Sequence, residues 1–140
     1  MTTMTHADLT HATAAATRLH FARRAAVAIA LWAAAAVVVV TTHRMFAPVS
    51  ASADVVAKTL VIFVAGFAYA RLASPRTTVN QALIVGASWL LLGVIAEVIV
   101  SSATHHPWFQ ILGSPAKPIL RDVVLFAWVA APAFFARYDN

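Results

Sequence analysis

Glu97 stands inside a long apolar run, Gln81–Ser102 (QALIVGASWLLLGVIAEVIVSS). A carboxylate in hydrocarbon is costly unless it meets a partner, water or a proton, so the surroundings of Glu97 have to supply one. It lies five residues before Ser102, about 7.5 Å inside the end of its run. Arg121, three residues after Pro118 on the last apolar run, matches it in depth. The first reading is therefore a Glu97–Arg121 ion pair that locks two spans together, with Asp122 as a second acceptor. A second reading makes Glu97, Arg121, Asp122, His43, His105 and His106 the walls of a polar pocket. In it Glu97 takes up and releases a proton, and Arg121 tunes it or meets an anionic substrate.

Other chemistries find less support in the residues. His43, His105, His106, Glu97 and Asp122 are ligand types that a divalent metal accepts. Adjacent histidines point in different directions, however, and no His-x-x-x-His or Glu-x-x-His spacing occurs on a helix. Haem needs facing imidazoles inside the bundle, whereas these histidines fall in loops or before the first span. With no cysteine there is no disulfide, thiolate metal site or thiol redox chemistry. A Gly-rich phosphate loop, a G-x-S-x-G elbow and an H-E-x-x-H helix are all missing. The expectation is a protein that is not an enzyme, with no cofactor and no bound metal. Trp32, Trp89, Trp108 and Trp128 are expected as packing and interface anchors.

The elements that hold these residues follow from composition. Of 140 residues, 61% are hydrophobic and 11% charged, against about a quarter charged in soluble domains. This is membrane composition, and the net charge of +5 belongs to headgroups and anionic lipid rather than to nucleic acid. Residues 1–24 are expected as a polar tail or interfacial helix, capped by Asp8 and ending in Arg23-Arg24. Four spans in one domain follow, over about 25–42, 55–72, 79–102 and 115–137. The first is about 27 Å long at 1.5 Å per residue, enough for a thin bilayer.

Between the spans, His43–Asp54 reads as a loop broken by Pro48, with Ser52 as N-cap and Asp54 in the first turn of the second span. Lys58 is expected to snorkel. The turn at Pro75 makes the second and third spans antiparallel neighbours. Pro107–Gly113 is expected as a short interfacial helix, followed by Ser114-Pro115 as N-cap and first helical residue, and Pro132 as a kink. Arg23-Arg24, an apolar core and Ala51-Ser52-Ala53 also imitate a secretory signal with a cleavage site. The long polar leader, and the dozen residues between core and site, favour a retained span.

The fold expected is thus an all-α integral membrane four-helix bundle with antiparallel up-down neighbours. With both termini on one side, that side carries six bases (Arg18, Arg23, Arg24, Arg71, Arg76, Arg137) and the other four (Arg44, Lys58, Lys117, Arg121). The excess places both termini in the cytoplasm. Gly66, Gly86 and Gly93 offer close approach to a second copy or a membrane partner. Four spans in so short a chain also occur in small multidrug exporters, but their glutamate lies in the first span, and Ala25–Thr42 has no acid. Leu112–Arg137 resembles stretches of bacterial inner-membrane proteins, which implies that location and no activity. The expected role is structural or accessory, with a small transporter or sensor built around Glu97 and Arg121 as the alternative.

Overall fold

The computed structural model describes residues 6–73 and 78–136, with side chains from Thr17 onward. The turn at Pro75, the end of the last span at Arg137 and the Asp8 side chain lie outside the described residues. Four helices account for almost all of it: α1 (His6–Phe46), α2 (Ala51–Leu72), α3 (Val79–Thr104) and α4 (Pro118–Phe134). Of these, α1 from Thr17, α2 and α3 are long and apolar enough to cross a membrane. The chain is therefore a membrane-embedded helical protein. Its large apolar side chains face outward along every helix, among them Val37, Leu60, Ile84 and Phe126. In water that surface would drive aggregation; in a bilayer it meets lipid.

Several boundaries differ from expectation. No break occurs at Arg24: α1 is one helix of 41 residues, about 62 Å long, because its Ala-rich sequence contains no proline or glycine to stop it. It runs on through His43, so the loop before α2 is only residues 47–50. Ser50, not Ser52, caps α2, accepting from the Ala53 amide at 3.5 Å. Asp54 sits in the first turn as expected. The last helix starts at Pro118 behind Lys117, not at Pro115; Ser114-Pro115 forms a separate turn in which the Ser114 carbonyl accepts from Lys117 N at 3.1 Å. No helix forms over Pro107–Gly113.

Packing also departs from the simple up-down order. The register of contacts gives the directions. His43 near the end of α1 meets Asp54 at the start of α2, so these two are antiparallel. Down α2, Gly66 lies against Ala131 and Phe67 against Phe135, so α2 and α4 run parallel. Gly86 of α3 lies against Val129, whereas Gly93 meets Leu112 just before α4; α3 and α4 are therefore antiparallel. The backbones of α2 and α3 stay apart, with α4 packed against both, and α1 touches α3 only lightly. Going round the bundle, the order is α1, α2, α4, α3. α2 and α3, although consecutive in the chain, lie across a diagonal and are not neighbours.

Glycines explain why α4 fits there. A Cβ on Gly66 would lie 2.6 Å from the Ala131 carbonyl carbon and oxygen, and one on Gly86 would run into the Val129 carbonyl oxygen. Backbone meets backbone at both points, the close approach that small residues permit between membrane helices. These glycines, and Gly93 against Leu112, are occupied by their own chain. The centre is filled by Trp89 and Trp128, both buried and edge-to-face at 6.2 Å, with Tyr69 edge-on to Trp89 at 6.1 Å. Trp89 Nε1 donates to the Ala28 carbonyl at 3.0 Å, which ties α3 to α1.

Candidate functional site

The distal end of the bundle, opposite the start of α1 and the end of α4, holds an open cleft of about 380 Å³. Its walls come from the end of α1 (His43), the start of α2 (Asp54, Lys58), residues 107–114 and the start of α4 (Lys117, Arg121). Lys58 is 1% exposed and Asp54 7%. Lys58 is the eighth residue of α2, its backbone about 10 Å below the start, and although its ammonium reaches back toward that start it stays buried and does not snorkel to water. It is held instead by an ion pair of 2.9 Å from Nζ to Asp54 Oδ2, one helical turn back.

His43 completes a triangle. Its Nδ1 is 3.0 Å from Lys58 Nζ and 3.1 Å from Asp54 Oδ2. With Nδ1 bare, the ammonium donates to both the imidazole and the carboxylate. With a proton on Nδ1, the ring donates to Asp54 but then faces the Lys58 ammonium, donor against donor. The group accommodates one arrangement at a time. Asp54 Oδ1, also buried, has no hydrogen-bond partner among the described residues, and neither has Gln110 Oε1 in the segment before α4. Buried acceptors without donors are rare, and each one calls for an explanation.

Glu97 is not in this cleft. Its Oε1 accepts the backbone amides of Ile111 at 2.9 Å and Leu112 at 2.8 Å. Arg121 pairs with its neighbour Asp122, Nη2 to Oδ1 at 3.1 Å, and no Glu97–Arg121 ion pair occurs among the described residues. The reason is the loop. Residues 105–112 fold back onto the bundle and bury Ile111 to 2% exposure, so their amides need acceptors below the headgroups. Glu97 supplies one for two amides, and Ser101 Oγ accepts the Trp108 amide at 3.0 Å. Trp128 Nε1 donates to the Ile111 carbonyl at 3.4 Å. A carboxylate on α3 thus does the work that an interfacial helix would have done for itself.

Of the residues singled out in the sequence, the structure brings His43 and Arg121 to one cleft. Glu97 serves the loop, Asp122 points outward with its side chain 64% exposed, and His105 and His106 are exposed beyond the end of α3. His105 adopts φ +53 and ends that helix. Among the described residues no three His, Asp or Glu side chains gather as a metal site would need. Sequence reading missed Asp54, Lys58, Gln110 and Lys117. The signal for the first two was available: an acid and a base four residues apart face each other on a helix.

Compared with protein-family models, with curated proteins and with solved structures, the chain finds no match.

Proposed function

We propose that this is a small, non-enzymatic, four-span membrane protein whose distal cleft receives a small polar solute, as a transporter or sensor does. One observation carries the reading: the cleft is walled by a buried, ion-paired Lys58 and by an Asp54 with one oxygen that has no partner among the described residues. Buried charge is costly in a membrane helix and usually marks a solute or ion path. α4, at 17 residues about 25 Å long, is the fourth span, and its exposed Ile119, Val123, Phe126 and Phe134 face lipid. The location is a bacterial inner membrane with both termini cytoplasmic. The basic residues support this orientation, since Lys58 is buried and Arg121 is paired, which leaves Arg44 and Lys117 as the distal bases with no ion pair among the described residues. The cleft then opens outward.

Because the chain has no cysteine, the test is clean. Ser114→Cys on the cleft wall should be labelled by a membrane-impermeant thiol reagent added outside intact cells, and Ser88→Cys on the lipid-facing side of α3 should not. Labelling of neither, in folded protein, would remove the reading. A second reading, a structural or accessory protein, is favoured by one fact: Glu97 and the glycines are committed to holding the chain's own fold.

A further inference from the structure

Resting on that reading of the cleft, we infer that His43, Asp54 and Lys58 form its proton-binding site. A proton taken up by His43 Nδ1 moves Lys58 from one oxygen of Asp54 to the other. The starting arrangement follows from the distances. Lys58 Nζ is within hydrogen-bond reach of His43 Nδ1, at 3.0 Å, and of Asp54 Oδ2, at 2.9 Å. An ammonium only donates, so Nδ1 is bare to accept from it, and the ring carries its hydrogen on Nε2. With His43 neutral, the three side chains sum to zero charge.

A proton arriving on Nδ1 changes the partners. Nδ1 already lies 3.1 Å from Asp54 Oδ2, so the new N–H donates there with little movement. It also meets the Lys58 ammonium donor against donor, and two cations now crowd one oxygen. Lys58 has another acceptor beside it. Asp54 Oδ1 is buried and has no hydrogen-bond partner among the described residues. Lys58 and Asp54 are both buried, and the two oxygens belong to one carboxylate, so a small turn of that group brings Oδ1 to Nζ without exposing either. The orphaned oxygen is the acceptor held for the protonated state, which accounts for a buried group that is otherwise only a cost.

The His43 side chain is 29% exposed and lines the cleft, so the proton comes from the water there, whereas Lys58, at 1%, is shut away from it. Every charge around the group bears on the uptake. From α2, the Asp54 carboxylate favours it and the Lys58 ammonium opposes it. Lys117 and Arg121, at and just inside the start of α4, line the same cleft and also oppose it, as does Arg44 beside His43 on α1. From α3, Glu97 is near enough for its charge and that of Lys58 to act on each other. Residues 107–114 bring no titratable group. Imidazole is the side chain that ordinarily changes charge between roughly pH 5 and 8, so His43 is the member suited to take the proton.

The test is nitrogen NMR on the full chain in nanodiscs, titrated from about pH 8.5 down to about pH 5. The chain has two lysines, so Lys117→Arg leaves Lys58 as the single lysine signal, and His43→Gln identifies the His43 ring among six histidines. At the alkaline end His43 should be the Nε2–H tautomer. As it gains its second proton, the Lys58 Nζ signal should shift with the same midpoint. In His43→Gln, whose amide oxygen still accepts from Lys58 but takes no proton, that signal should not move across the range. A His43 ring protonated on Nδ1 at the alkaline end would overturn the assignment. So would a Lys58 signal that ignores the titration of His43, or one that still moves in His43→Gln. Any of these, with Ser114→Cys labelled from outside, removes the proton site and leaves the cleft. A coupled titration with no labelling at Ser114→Cys would instead overturn the cleft as the source of the proton.

Discussion

The two halves of this bundle are built on opposite plans. Toward the end where α1 begins, helices touch backbone to backbone through Gly66 and Gly86, and Trp89, Trp128 and Tyr69 fill what remains. At the distal end α1, α2, the segment before α4 and the start of α4 surround a cleft lined by the buried charges. The dense half is held by backbone contact and aromatic packing. The open half exists because α4 starts late, at Pro118, and the thirteen residues before it are irregular. Such a segment cannot satisfy its own amides, so the bundle lends it Glu97 and Ser101. Rigidity in one half makes an opening tolerable in the other.

That contrast can be broken most severely at the buried pair. Asp54→Ala leaves Lys58 uncompensated in the bundle and should cost about 3–5 kcal/mol, seen as a collapse of the thermal midpoint in detergent. Replacing both, Asp54→Leu with Lys58→Met, should restore most of the stability yet abolish the exchange at His43. A double variant whose His43 titrates as in the parent would show the charges to be mere ballast. Next comes Glu97→Ala, which orphans the Ile111 and Leu112 amides at about 1–3 kcal/mol each. Glu97→Gln retains an acceptor and should lose far less; equal losses would mean that the negative charge itself is needed.

In the dense half, Gly86→Ala drives a methyl into the Val129 carbonyl and should cost about 1–3 kcal/mol, without altering the Ser114→Cys labelling. If labelling changed as well, the two halves would be coupled rather than separate. The smallest effect belongs to Asp122→Ala. Its pair with Arg121 is largely exposed, and stability should move by no more than about 1 kcal/mol in the same melting assay.

Much of the fold is written plainly in the residues. α3 begins at Val79 as expected and runs two residues beyond Ser102, because long apolar runs bounded by Thr78 and Pro107 leave little freedom. The arrangement of the helices is not so written. A short turn between α2 and α3 suggests neighbours, but the glycines decide where a backbone can come closest, and on both helices they receive α4. Nor was the partner of Glu97 legible. Matching depths made Arg121 attractive, whereas the need lay in backbone amides of a loop whose path no side chain announces. Lys58 was misjudged for a related reason: near the start of a span a lysine is taken to reach for water, and only the packed structure shows that α1 and α4 close over it.

The diagonal placement of α2 and α3 carries a consequence for how the chain is made. Both present a glycine groove to the last helix, and until that helix leaves the ribosome neither groove has anything to fill it. The first three spans can enter the bilayer one after another, but they have no reason to settle at their final spacing. Packing of these four helices is therefore completed from the inside, with α4 wedged between segments made before it, and a nascent chain halted before Pro118 should remain loose and open to membrane proteases.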